Sequence, residues 1–278
     1  MIVLIGIVVG ILLGLTGAGG SVLAVPLLMA GLGWSITQAA STSLLAVSVA
    51  ATVRTALAWK HAYVRYRAAS LMGVVGMLVS PLGVYAADRS QPAALQLIFC
   101  AVLAFVAMRM YLQSGAARED SAVVRAAVSG EGRASTATFG AVDPATGRLV
   151  WTLPVASLLC VIGAAAGFLS GFLGVGGGFV IVPALRASLP LSMHSAVATS
   201  LMTIALISQG AFFSGLMQGR HAQWLTALPF VGGAIVGMYL GRIATPHIAG
   251  HRLQKGFAVL AAVVAVLMAS HALHPWGS

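Results

Sequence analysis

Residues 14–26 read GLTGAGGSVLAVP and residues 171–183 read GFLGVGGGFVIVP, one glycine-rich stretch occurring twice in the same chain. At an offset of 157 residues, Gly14, Gly17, Gly19, Gly20 and Pro26 fall on Gly171, Gly174, Gly176, Gly177 and Pro183. With no gap, STSLLAV (Ser41 to Val47) then falls on ATSLMTI (Ala198 to Ile204), and Gly76 falls on Gly233. Coincidence does not hold one register over such a length, so the chain is an internal duplication. It divides into halves 1–113 and 150–278, joined by a polar linker, 114–149, that holds four of the five acidic residues.

The halves belong in a membrane. Apolar residues make up 59% of the 278 and charged residues only 7%, with mean hydropathy +0.99. A soluble domain carries roughly a quarter charged residues. Apolar runs recur at 1–33, 36–58, 68–87, 93–112, 150–185, 196–217, 224–241 and 256–273. About 20 helical residues cross a hydrocarbon core of about 30 Å, so most of these runs are of spanning length. The net charge of +10 comes from basic residues lying mostly between apolar runs, which marks topology signals and argues against a nucleic-acid surface. Cys100 and Cys160 both sit inside apolar runs and suggest neither a disulfide framework nor metal ligands. The N-terminus lacks a basic leader and reads as a first membrane segment. The end of the linker, ATFGAVDPATGRLVW (137–151), alternates as a small hairpin outside the bilayer would.

The first segment of each half, 1–33 and 150–185, is too long for one straight crossing: about 50 Å as a helix against about 30 Å of hydrocarbon. Each is broken by glycines and followed by Val-Pro, which a continuous helix disfavours. Either each is one kinked crossing, or each enters, breaks and returns. If they return, 13 of the 15 basic residues share one side, leaving Arg89 and Arg220 opposite; if they cross, the split is 10 to 5. The positive-inside bias favours the first. The expected fold is therefore all-α and polytopic. Its two halves are inverted repeats, each a Gly-broken re-entrant or hairpin segment followed by three transmembrane helices. The expected location is the cell (inner) membrane, with termini outside and linker cytoplasmic.

Broken helices survive in hydrocarbon only where protein or water satisfies the exposed backbone. Where a second half-helix starts, near Ser21 and Gly178, free N–H groups and the positive dipole end point inward. Two such ends facing each other make an anion site without a full charge. The candidate residues are Gly17, Gly19, Gly20, Ser21, Gly174, Gly176, Gly177 and Gly178. The alternative is close packing of small residues. Thr42, Ser43, Thr199 and Ser200 open the following helices; their hydroxyls donate either to an anion or to the preceding turn of their own helix. Gln38 and Ser195, at equivalent positions, and His194 beside the latter share that ambiguity. No acidic residue lies within an apolar run, which argues against a cation pump or carboxylate proton relay. No cofactor or metal is expected.

The paired GxxGxGG(G)xxxVP motifs, each followed by a polar-Thr-Ser-Leu helix start, resemble those of the TauE/SafE family of sulfite-exporter permeases. The resemblance covers both halves; Ser21 stands where the second copy has Gly178. It implies export or uptake of small sulfur-containing anions such as sulfite or organosulfonates, and the sulfur comes only from the resemblance. The expected partners are that anion and the lipid bilayer, with a second copy of the chain as a further candidate and no nucleic acid. Two other classes compete. A passive anion channel differs from a carrier in lacking flux saturation. An intramembrane enzyme needs a metal with carboxylates or an activated serine, for which the membrane part offers no acid and Ser170 beside Gly171 is too common a pair to count.

Overall fold

The computed structural model of the chain describes residues 1–16, 20–58, 66–108, 152–188, 193–220, 224–244, 256, 258–266 and 268. Every regular element among them is helical. In order these are α1 (Ile2–Thr16), a 3₁₀ turn (Gly20–Leu23), α2 (Ala24–Leu32), α3 (Ile36–Ala58) and α4 (Tyr66–Arg89). Then follow α5 (Pro92–Met108), α6 (Leu153–Leu173), α7 (Gly178–Ser188), α8 (Met193–Met217), α9 (Trp224–Ala244) and α10 (258–266). The linker, with its expected hairpin, lies outside the described residues. Shifted by 157 residues, α3 and α4 fall on α8 and α9 to within two residues at each end.

Five helical stretches are long and apolar enough to cross a membrane: Ile36–Ala56, Tyr66–Arg89, Leu153–Leu173, Ala196–Met217 and Trp224–Gly241. Their outward faces are apolar. Leu78, Leu82, Val161, Leu225 and Leu228 are all exposed, a surface that suits hydrocarbon and not water. Pro26 sits in the first turn of α2, where its missing N–H costs nothing.

The chain forms two compact units, Met1–Ser90 with Ala137–Arg242, and Gln91–Thr136 with Ile243–Ser278. In the second, Leu95, Phe99 and Leu103 make a buried stripe at i, i+4, i+8 along α5, and the Gln96 side-chain amide donates to the Met268 carbonyl at 3.3 Å.

The first unit holds both glycine-broken segments, and each doubles back. A Cβ on Gly31, near the end of α2, would meet the side chain of Ile5 near the start of α1. Gly177, just past the end of α6, lies against the Ala166 carbonyl inside it. Beyond it, Ile181 and Leu185 of α7 join Val155, Leu159 and Ile162 of α6 in one buried cluster. At 1.5 Å per residue α6 is about 31 Å long and α7 about 16 Å, so the returning arm covers half the distance.

The hairpins are held by helices from the opposite sequence half. α6 runs alongside α4 in the same direction, with Gly163 on Met72, Gly167 on Gly76 and Gly171 on Ser80. α1 runs alongside α9 likewise, with Gly233 on Val3, Gly237 on Ile7 and Gly241 on Ile11. In both pairs backbone touches backbone, which only glycine permits. α4 and α8 also run together: Thr203 donates to the Ala69 carbonyl at 3.4 Å, Gly73 meets Leu206 and Gly210 meets Met77. α3 passes α8 in the opposite sense, since Thr52 bonds Gln209 at 3.0 Å while Leu44, a little over two turns earlier, clusters with Ala211 and Phe212.

Gly167→Leu tests the α4–α6 contact, because any side chain there must overlap the Gly76 backbone. Overpacking of this kind costs about 3 kcal/mol or more, and the detergent-solubilised variant is expected to melt well below the parent. Gly232→Ala, which has open space around it, is the control and is expected to melt at or slightly above the parent.

Candidate functional site at the two helix breaks

The second break shows why the sequence needs its glycines. Gly174 closes α6 in the left-handed region, φ 73°, its N–H on the Ser170 carbonyl at 2.9 Å. Gly176 and Gly177 follow with φ 79° and 68°, conformations costly for any residue with a Cβ. The turn is wedged between helices: Gly174 meets Ala40 of α3, and Gly176 meets Val47 of α3 together with Ile204 and Ser208 of α8. Among the described residues, the N–H groups of Val175, Gly176, Gly177 and Gly178 find no backbone acceptor. α7 starts from this point, its N-terminal end directed into the protein.

The two helices that enclose the break are apolar with a buried set of hydroxyls. Ser43 lies on α3 between Ala40 and Val47, on the face that meets the break. Its Oγ is fully buried and, among the described residues, has no hydrogen-bond partner. The same holds for Ser208, whose Oγ stands beside Gly176, and for Ser170 at the end of α6. Buried hydroxyls without partners cost about 1–3 kcal/mol each, so three near one helix break is a feature to be explained.

The first break resembles the second in outline. Gly17 and Gly19 lie outside the described residues. Gly20 and Ser21 sit in the 3₁₀ turn and are fully or nearly fully buried. Gly20 rests directly on the backbone of Leu12 and Leu13. The turn touches α7 of the other hairpin, so the two broken segments meet here. Arg54 of α3 closes this break: its Nη1 donates to the carbonyls of Gly14 at 2.6 Å and Leu13 at 3.2 Å. A cation on the last carbonyls of α1 meets the negative end of its dipole.

The sequence candidates therefore separate. Gly20, Ser21, Ser43, Gly174, Gly176, Gly177 and Gly178 lie at the breaks or on the face covering them. Thr42 and Thr199 are buried beside them. Ser200 is buried but donates to the Val197 carbonyl at 2.8 Å, the local bond that competes with ligand binding. Gln38 is exposed and serves the start of α3. Its N–H bonds the Ser35 hydroxyl and its side-chain oxygen accepts from the Ser35 N–H, both at 3.4 Å, as in a capping box. The side chains of His194 and Ser195, in the first turn of α8, lie outside what is described. Ser208, Ser170 and Arg54 are additions. Ser208 was detectable as a second hydroxyl two turns beyond Ser200 on one face of α8; nothing local announces the reach of Arg54 to α1.

Buried polar groups gathered where two hairpins meet, within helices of spanning length, are an arrangement that suits a membrane transport protein. The chain belongs to the sulfite exporter TauE/SafE family, whose profile matches residues 2–268. It is 32% identical over 269 residues to a probable membrane transporter protein of Xylella fastidiosa (strain Temecula1), covering 94% of this chain and 91% of that one. It is 27% identical over 253 residues to the probable membrane transporter protein YunE of Bacillus subtilis (strain 168), covering 87% and 86% respectively. No solved structure matches the chain.

Two substitutions probe the breaks. Gly177→Ala places a methyl group against the Ala166 carbonyl at a positive φ and is expected to cost about 2 kcal/mol or more, seen as a lowered melting temperature. Arg54→Ala removes two charge-assisted bonds and is expected to cost about 1 kcal/mol, discounted for partial exposure; Arg54→Lys is expected to recover part of it.

Proposed function

We propose that the protein is a secondary transporter for a small oxyanion, of the sulfite or organosulfonate kind, working by alternating access. The observation that carries this reading is the second break, where uncovered N–H groups and unpartnered Ser43 and Ser208 hydroxyls converge. A hydroxyl donates as readily as it accepts, and an N–H only donates. A ligand rich in acceptors satisfies the whole set, and one rich in donors does not. Among the described residues the single carboxylate is Asp88, at the end of α4, so the membrane helices offer a cation no charged partner. The sulfur in the substrate rests on the family name and the resemblance of the motifs.

Alternating access needs two halves that can rock around a shared site. The contacts of α1 with α9, α6 with α4, and α4 with α8, all in the same direction, together with α3 opposed to α8, support inverted halves: α1 and α6, equivalent in sequence, then point opposite ways. With both hairpins returning, the distribution of basic residues supports termini outside and linker in the cytoplasm of an inner-membrane protein.

The test is thermal stability of the purified protein against sulfite, thiosulfate, sulfoacetate, sulfate, chloride and a neutral amino acid at matched ionic strength. An anion at 100 times its dissociation constant adds about 2.7 kcal/mol of native stability. A shift with a sulfur oxyanion and not with chloride is expected; a shift only with the neutral solute or a cation removes the anion reading. Ser43→Ala and Ser208→Ala separate binding from folding. Each removes an unpartnered buried hydroxyl, so the unliganded melting temperature is expected to stay or rise. Each also removes a donor to the anion, so affinity is expected to fall about tenfold. In liposomes, flux is expected to saturate and to counter-exchange, which a pore does not do.

A further inference from the structure

α8 ends in a tight cap that delivers one charged residue to a specific place. Gly219 takes φ 83°, the Arg220 N–H bonds the Gly215 carbonyl at 2.9 Å, and the Gly219 N–H bonds that of Leu216 at 3.1 Å. Arg220 is thereby pressed against the end of α4. Its Nε and Nη2 both donate to Oδ1 of Asp88, at 2.9 and 2.6 Å, and Nη2 also reaches the Val84 carbonyl at 3.3 Å. The arginine side chain is only 10% exposed, the aspartate 32%.

The same arginine lines a crevice between α3 and α8, together with Ser41, Leu44, Phe212, Gly215 and Leu216. The crevice has no room for a water molecule, and its floor is the buried cluster of Leu44, Ala211 and Phe212. The unpartnered serines are close to that floor along each helix. On α8, Ser208 precedes Phe212 by one turn and Gly215 by about two; on α3, Leu44 adjoins Ser43. Along α8 the crevice and its apolar floor therefore lie between Arg220 and Ser208 at the second break.

We propose that Arg220 is the charged residue of an outer subsite through which an oxyanion reaches Ser43 and Ser208, and that Asp88 occupies it while the passage is closed. This rests on the anion reading of the breaks. A guanidinium held nine-tenths buried needs an anionic partner at all times. Asp88 supplies one oxygen to two donors, whereas a sulfur oxyanion supplies two oxygens spaced for the Nε–Nη2 fork. Exchange of one for the other keeps the arginine paired, and Asp88, a third exposed, is released toward solvent. A halide cannot span the fork, so the subsite selects oxyanions ahead of the serines. Arg220 acts here by touching the passing substrate; Asp88 acts as its competitor.

A purely structural ion pair loses function in one direction whichever partner is removed. A competitor and a receptor have opposite effects. The experiment measures radiolabelled sulfite uptake by the full chain in liposomes, reading half-saturating concentration and maximal rate. Arg220→Gln is expected to raise the half-saturating concentration about tenfold, and Asp88→Asn to lower it, while both reduce the melting temperature. Arg220→Lys, which keeps the charge without the planar fork, is expected to fall between parent and Arg220→Gln, and serves if the latter does not fold. Shifts in one direction in both variants, or none in either, overturn the subsite while leaving the break site standing if Ser43→Ala still weakens uptake. Absence of sulfite, thiosulfate and sulfoacetate uptake by the unaltered protein overturns the anion reading, and the subsite with it.

Discussion

Backbone N–H and C=O groups cannot be left bare in hydrocarbon, and this membrane protein interrupts two of its apolar helical segments. Everything else in the first compact unit is arranged around that fact. α3 and α8 pass across the second break, so that its left-handed glycines press on Ala40, Val47, Ile204 and Ser208 rather than on lipid. At the first break Arg54 reaches from α3 to the last carbonyls of α1. The glycine-lined pairs α4–α6 and α1–α9 hold the long arms of the hairpins close enough for the short arms to stay inside. The second break is enclosed in this way, and among the described residues the Oγ atoms of Ser43, Ser170 and Ser208 near it have no hydrogen-bond partner; on the transporter reading, that unmet hydrogen bonding is what a solute would satisfy.

The duplication makes the halves equivalent in fold and leaves them unequal in detail. Arg54 of the first half corresponds to Ala211 of the second, and Ser208 corresponds to Ala51. The Thr-Ser pair recurs, yet Ser200 bonds its own helix and Ser43 does not. The unpartnered hydroxyls described here gather on the second break, whereas the guanidinium serves the first. On the transporter reading, a solute between the halves sits in surroundings far less symmetric than the scaffold that carries them.

Much of this was visible in the sequence because it depends on local rules. Glycine clusters before Val-Pro disfavour a continuous helix, and the register shared between the halves places the elements of one from those of the other. The exceptions are instructive. Gln38 falls at a site position by symmetry, but Ser35, three residues earlier, recruits it as a capping partner. Which of Ser43 and Ser200 is free depends on a side-chain rotamer, which no pattern of residue types determines. Arg54 and Arg220 find partners 40 and 132 residues away, distances at which only the assembled fold decides. Ser170 carried a signal that was read against it: as half of a Ser-Gly pair it is common, but as a hydroxyl buried at the end of α6 it is not.

The pairing of α1 with α9 has a consequence for how the chain is made. α1 is synthesised well before the glycines of α9 that receive it, Gly233, Gly237 and Gly241. Until these are made, Gly6 and Gly10 leave bare backbone along one side of α1. By chain order, α4 and α6 are both made before α9, so their contact can form while α1 still lacks its partner. A helix made early is therefore seated by one made late, and α1 goes without its α9 partner for the interval between them.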